Sequence, residues 1–295
     1  RLEITAALSQ SGKTFIQDSF FTSPLKIMKP FENDDGSVTV YQQSSSAGLL
    51  AGDEQEHSFT VKKGAKLEIV SQSYEKIFKM AEGALAKRKI TAQIEKNPQF
   101  VYAPLPCIPF SESSFSSRTE IFLKDETSRL VYEDILCAGR VAHGEAFDYH
   151  YYHNLIEIYR KEKLIFRDNA YFDGSDGGKH PEKKEFLRSP SVFGSFTHSG
   201  MLLLFGFGKN LSEIREMLGT WIDGEYNQQP YGGRERCFKG MSRMEVWSNT
   251  LTEIRKPVSE EDLNLLLMKT TRKQKIKRNG VSVTVSGEEF WFYDK

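Results

Sequence analysis

"KKGAKLEIVSQS" (residues 62–73), "EKNPQFVYAPLP" (95–106) and "DETSRLVYEDIL" (125–136) repeat one phrase, a polar turn followed by a strand. Leu67, Phe100 and Leu130 anchor the three copies and stand about thirty residues apart. Stacked β layers produce such a spacing, because each layer must cover the apolar face of the one before it. The flanking sequence agrees. "GSVTVYQQSS" (36–45) and "RTEIFLKD" (118–125) also alternate apolar and polar residues between Gly, Pro, Asn or Asp, the pattern of short half-buried strands. β-Branched and aromatic residues fill the apolar positions, as a pleated surface prefers. The expected class over the first two thirds is mainly β, in stacked strand layers with few helices.

The chain changes character after about residue 165. "DGSDGGKHPEKKEFLRSP" (173–190) is rich in turn formers and charge and reads as a loop or mobile excursion. "MLLLFGF" (201–207) reads as a buried strand. "NLSEIREMLGTWIDGEYN" (210–227) turns helical, with Asn210 as N-cap and Leu211, Ile214, Leu218, Trp221 and Ile222 as an apolar stripe. Helix returns in "MSRMEVWSNTL" (241–251) and "SEEDLNLLLMKT" (259–270), where Ser259 and Asp262 resemble a capping pair. A β-meander closes the chain from about 273, with Asn279–Gly280 suited to a tight turn. The length suits two domains or one large one; the resemblances given below imply a β-rich domain over 1–215 and, over 216–295, a helical segment plus a small β-barrel-like meander.

Composition narrows the function. Forty basic and forty acidic residues cancel to a net charge of 0, so no global field favours nucleic acid or membrane. The three cysteines, Cys107, Cys137 and Cys237, lie far apart without C-x-x-C spacing, as suits a reducing compartment. No apolar run is long enough to span a bilayer as a helix, and "RLEITAALSQ" lacks the form of a signal peptide. A cytoplasmic location is expected.

Two motifs fail on spacing. "QSGKTF" (10–15) would need glycine at Ala7 and a helix after it to cradle a phosphate. "GRVAHGEAFDYHYYHN" (139–154) crowds three histidines, but strand alternation sends His150 and His153 to opposite faces. Without a bulge they do not converge, and three ligands are needed for a catalytic zinc site. His150 and His153 remain weak metal-contact candidates.

"FFTSPLKIMKPF" (20–31), "SAGLLAGDEQ" (46–55), "SQSYEKIFKM" (71–80), "YAPLPCIPFSESSF" (102–115) and "YEDILCAGRVAHGEAFDY" (132–149) occur in this order. Together they resemble the UreD (UreH) family of urease accessory proteins over residues 1 to about 215. The resemblance implies a β-rich scaffold with no turnover of its own, binding apo-urease on one side and a UreF homologue on the other. UreF in turn recruits the nickel-carrying GTPase UreG. No tightly bound cofactor is implied, only transient Ni²⁺. A path lined by carboxylates, carbonyls and water suits such an ion, since conduction needs binding weak enough to leave.

Candidate lining residues by that resemblance are Asp53, Ser73, Lys76, Glu133, Arg140 and Glu145. Four of them have a local alternative. Asp53 caps the turn after Gly52, Arg140 and Glu145 pair with each other, and Glu133 is a solvated strand residue. The family usually has two adjacent glycines where Ala47–Gly48 stands.

Past about 215 the family's continuation is not recognisable. "TWIDGEYNQQPYGGRERCFKGMSRMEVW" (220–247) and the following stretch resemble instead the end of a Mu-type DDE transposase. Trp221, Tyr226, Asn227 and Pro230 match its signature, while Tyr231 replaces its histidine. The core that would bring three carboxylates onto two metal ions is absent. The alternative function is therefore a nucleic-acid-binding remnant or fusion protein, with Arg272, Lys273, Lys275, Lys277 and Arg278 on phosphates.

Overall fold

The computed structural model describes residues 1–208, eight positions between 213 and 245, and the backbone of 281–285 and 288–292. Arg1–Gly208 is one compact unit and Lys209–Lys295 another.

In the first unit the strands run β1 (Leu2–Leu8), β2 (Thr14–Phe21), β3 (Leu25–Ile27), β4 (Phe31–Glu32), β5 (Val38–Ser44) and β6 (Glu54–Val61). Next come β7 (Lys66–Ser71), β8 (Glu75–Ile77), β9 (Ala86–Ile94), β10 (Gln99–Ala103), β11 (Cys107–Pro109) and β12 (Ser114–Leu123). Then β13 (Arg129–Cys137), β14 (Gly139–Arg140), β15 (Glu145–Ala146), β16 (Tyr151–Arg160), β17 (Lys163–Asp173) and, after helix α1 (Pro181–Leu187), β18 (His198–Phe205).

Two sheets result. The first runs β17-β16-β12-β9-β6-β1-β2; the second runs β3-β5-β7-β10-β13-β11-β8, with β4 on β5 and β18 on β13. Successive coils contribute one strand to each sheet, so the central ladders are parallel, as in a solenoid. The sequence echo is the rung of this stack. Val38 pairs with Leu67, Leu67 with Phe100, and Phe100 with Leu130.

The polar turns before each strand solve one problem in different ways. Gly64 and Asn97 take positive φ (74° and 61°), which glycine and asparagine tolerate best. Asp125 instead accepts hydrogen bonds from the Thr127 N–H (2.9 Å) and hydroxyl (2.6 Å). Each device turns the chain sharply enough for the next strand to lie in register.

Inward residues of both sheets build the core. On the first sheet one rung is Ile4–Phe59–Ala92–Ile121–Ile158, all buried. Phe59 meets Phe100 and Tyr102 of the second sheet at ring distances of 5.5 and 5.8 Å. A second apolar cluster, holding Leu49, Ile77, Phe115, Leu136, Tyr149, Tyr152 and Leu187, fills the other half.

Three expectations need correction. Residues 173–190 are not a free loop: α1 starts at Pro181, buries Leu187 and is tied by Lys184 Nζ to Asp148 at 2.9 Å. Proline at a first helical turn loses no backbone bond, a signal outweighed in the sequence by its charged neighbours. β18 is not a buried strand; it pairs antiparallel with β13 and leaves Leu202 53% exposed. Finally, strand alternation does not hold across 147–154. Phe147 has φ 61° and β16 begins only at Tyr151.

In the second unit Glu213, Glu216, Gly219 and Thr220 are helical. β19 (Val281–Val285) and β20 (Glu288–Phe292) pair antiparallel, with Val281 opposite Phe292 and Val285 opposite Glu288. Of the helix expected over 241–251, Glu245 is helical while Met241 and Ser242 are not; the remaining expectations for this unit fall on other positions. The stripe from Leu211 to Ile222, the Ser259–Asp262 cap, the Asn279–Gly280 turn and the transposase-like residues lie outside the described residues, as does the basic cluster Arg272 to Arg278.

Candidate functional site

Between the two apolar clusters lies a rung of another kind. On the first sheet Gln55 pairs with Arg88, Arg88 with Ser117, and Ser117 with Asn154. Pairing in parallel register puts four polar side chains in one row, on the inward face. The second sheet meets this row with Gln42, Ser71, Glu75 and Asp134, which line the same cavity or its neighbour. The result is a polar belt across the middle of the solenoid.

Its charges are paired across the sheets. Arg88 of β9 donates to a Glu75 oxygen of β8, and its Nε–H donates to Gln55 Oε1 at 3.1 Å. The guanidinium also lies 5.3 Å from the Phe115 ring centre. Burial is the largest single influence on Arg88 and opposes its charge, but Glu75 together with Tyr102, Cys107 and Tyr152 outweighs it and holds the pKa above its usual value. Asp134 accepts from Asn154 Nδ2 at 3.0 Å. A cavity of about 30 Å³ opens between these groups, walled also by Tyr102, Cys107, Tyr132 and Tyr152. Burial pushes Tyr102 up to about 12 and the Cys107 thiol well above its ordinary range. Both stay protonated near neutrality. Gln42 Oε1, Tyr102 Oη and Asn154 Oδ1 are buried and find no hydrogen-bond partner among the described residues. Each such atom costs about 1–3 kcal/mol if left dry.

A second small cavity adjoins the first, sharing Gln42, Ser71 and Glu75, and is lined outward by Ser73 and Tyr74, both exposed. The belt thus leads from the interior toward the bend after β7.

Ser73 is the one sequence-predicted lining residue on these walls. Lys76 and Glu133 each stand one residue past or before an inward acid, Glu75 and Asp134, so strand alternation places them on the other side. The backbone carbonyl of Lys76 accepts from Leu49 N–H at 2.7 Å, and a Cβ on Gly48 would meet that oxygen at 2.4 Å. The "SAGLLAGD" and "SYEKIF" blocks are therefore pressed together, and only glycine fits. Asp53 Oδ2 accepts from Leu50 N–H at 2.7 Å, closing its own turn. Arg140 Nε–H donates to Glu145 Oε2 at 2.8 Å as one arm of a bidentate pair, with the guanidinium 4.1 Å from the Phe110 ring centre. His150 Nδ1 contacts Asp176, while His153 sits between Ser116 Oγ (3.2 Å) and Asn169 Oδ1 (2.8 Å). The two histidines are not brought together.

The belt residues Gln55, Arg88 and Ser117 escaped the sequence reading, although a signal was present. They precede the echo residues Leu67, Phe100 and Leu130 by about a dozen positions each. Polar residues at a fixed distance ahead of apolar anchors mark a second rung of the same stack.

The chain matches the family described as "UreD urease accessory protein" over residues 1–253. The chain belongs to this family. Among similar proteins, Urease accessory protein UreD of Acetivibrio thermocellus is 37% identical over 206 residues, 70% of this chain and 74% of that protein. Urease accessory protein UreH of Helicobacter hepaticus is 36% identical over 205 residues, 69% and 77% of the two chains. Urease accessory protein UreH of Helicobacter pylori is 30% identical over 275 residues, 92% and 97%. The family match continues past residue 215, where the transposase-like stretch begins. No helix among the described residues is long and apolar enough to cross a membrane.

In this UreD-family chain the belt acid Asp134 makes a pH prediction. Burial raises its carboxyl pKa above 3.8, offset in part by the Asn154 hydrogen bond. Well below 3.8 the acid is neutral in folded and unfolded chains alike, and no penalty arises. As pH rises through the raised value, ionisation costs the folded state more than the unfolded one. Asp134→Asn is expected to be more stable than wild type at neutral pH and equal to it well below pH 3.8. Denaturant titrations at the two pH values check this; equal stabilities at neutral pH would place the carboxylate in water.

Proposed function

We propose that this urease accessory protein is a non-catalytic scaffold that passes Ni²⁺ to apo-urease, in complex with UreF and UreG homologues. The polar belt carries this proposal. A solenoid gains nothing in stability from a buried row of Gln, Arg, Ser and Asn faced by two carboxylates, since apolar residues of similar volume serve at least as well. Two carboxylates, an amide oxygen and phenolic oxygens around a small cavity suit a hard or borderline dication in passage. The ion is cargo here, met by oxygen donors too few to hold it.

Asp134→Asn tests the proposal without risking the fold, because the substitution is expected to stabilise it. Co-expressed with apo-urease and the UreF and UreG homologues, the variant should activate urease at least about 10- to 100-fold less than wild type, the range typical for altering even a group that only supports a metal's ligands. Pull-down with the UreF homologue should be unchanged. Wild-type activation by the variant would sink the conduction path; no capture of the UreF homologue by either protein would sink the scaffold.

A further inference from the structure

A path for cations that contains a buried cation poses a problem. The Arg88 guanidinium lines the belt cavity together with Glu75 and Asp134, and its side chain is only 10% exposed. While Arg88 holds Glu75, one of the two carboxylates that would greet an arriving ion is already neutralised. Like charges at contact distance repel strongly in a poorly solvated site. The path is therefore shut in the geometry observed.

The same geometry provides a way to open it. Arg88 has three holders: Glu75 on the opposite sheet, Gln55 on its own rung, and the face of Phe115. If Glu75 turns to an ion, the guanidinium keeps the other two. Glu75 lies on the three-residue strand β8, directly after the exposed bend at Gln72–Tyr74. It also walls both the interior cavity and the outward one. It thus stands where an ion would pass from one to the other. The unpartnered Gln42 Oε1, Tyr102 Oη and Asn154 Oδ1 are buried around the same place and offer further oxygen donors.

We propose that Arg88 is a tethered cation occupying the metal's place in the belt, releasing Glu75 only to a divalent ion. The inference rests on the belt being the metal's path. A dication attracts Glu75 with twice the charge of the guanidinium, whereas Na⁺ or K⁺ brings no more charge than Arg88 and lacks its preformed fork. Selection by charge follows from one side chain.

Titration of the full chain with Ni²⁺ alone tests this. Arg88→Gln removes the tethered charge and keeps a donor for Gln55 or Glu75; its affinity for Ni²⁺ should rise about tenfold or more over wild type. Arg88→Lys keeps the charge and should stay near wild type. The double variant Glu75→Gln, Arg88→Gln removes both charges of the pair, so neither is left unpaired, and should lose the gain. Equal Ni²⁺ affinity of Arg88→Gln and wild type overturns the inference, as does an equal gain in Arg88→Lys. If Arg88→Gln fails to fold, the wild-type chain decides. With Zn²⁺ as a diamagnetic probe, the Arg88 Nη–H NMR signal, which reports the Glu75 contact, should shift and exchange faster at saturation, and an unmoved signal overturns the gate. Failure of the gate leaves the Asp134→Asn activation result intact, and failure of that result leaves the titration readable, so the two ideas are separable.

Discussion

Phe59→Ala is expected to lower the stability of the β unit by about 3–5 kcal/mol, the range for removing a fully buried aromatic ring. Phe59 has no solvent exposure and lies on the rung between Ile4 and Ala92. Its ring also reaches Phe100 and Tyr102 on the facing sheet. Truncation would open a cavity where two parallel ladders meet, and a ladder held by neighbours on both sides has little room to collapse. Phe20→Ala is the control: Phe20 sits on edge strand β2 and is 49% exposed, so its loss should cost well under about 1 kcal/mol. Urea unfolding of both variants measures the difference. Similar midpoints would mean that the two sheets do not share this core.

The second large effect concerns acid. His57 lies on the inward face of β6, is 2% exposed, and neither ring nitrogen finds a partner among the described residues. Burial, reinforced by the nearby Arg88 charge, lowers its pKa from 6.5 to about 3. The folded chain therefore keeps the ring neutral, while the unfolded chain takes a proton once pH falls below 6.5. Stability from this group is complete above that point and drains away as pH falls toward the folded value. At about 1.4 kcal/mol per pKa unit the loss approaches roughly 5 kcal/mol as an upper bound. His57→Leu keeps the volume and cannot titrate, so its stability should hold nearly level from pH 6.5 to 5, where wild type declines. Parallel slopes for the two proteins over that interval would show that the imidazole is hydrated.

The belt and His57 explain each other. Leu2, His57, Ile90, Thr119 and Ile156 form the rung next to Gln55, Arg88, Ser117 and Asn154. His57 stands where the apolar core begins to give way to the polar row. A charged imidazole there would face Arg88, so the neutral form is the only one that both neighbours tolerate.

Much of the fold was legible because a solenoid writes its period into the chain. Leu67, Phe100 and Leu130 recur about thirty residues apart and become hydrogen-bonded neighbours. The site was legible only where it is local. Asp53 closing its turn and Arg140 pairing with Glu145 follow from short separations, and the structure contains both. These contacts tie down turns and a two-strand ribbon, and none of the three residues lines the belt cavity. Glu75 and Asp134 were passed over for Lys76 and Glu133 because a one-residue choice of face cannot be read from a mixed strand such as "YEDIL".

By itself the sequence determined that strands would stack in layers, since alternation and a repeated anchor leave an apolar face that only the next coil covers. It also determined the family, through five ordered blocks. Tertiary structure alone decided that Glu75 of one sheet meets Arg88 of the other, and that Asn154 meets Asp134. Those partners belong to separate sheets, and their contact depends on how one sheet is laid over the other. No period along the chain records that offset, because it is set by the packing of rings such as Phe59 and Phe100 in three dimensions.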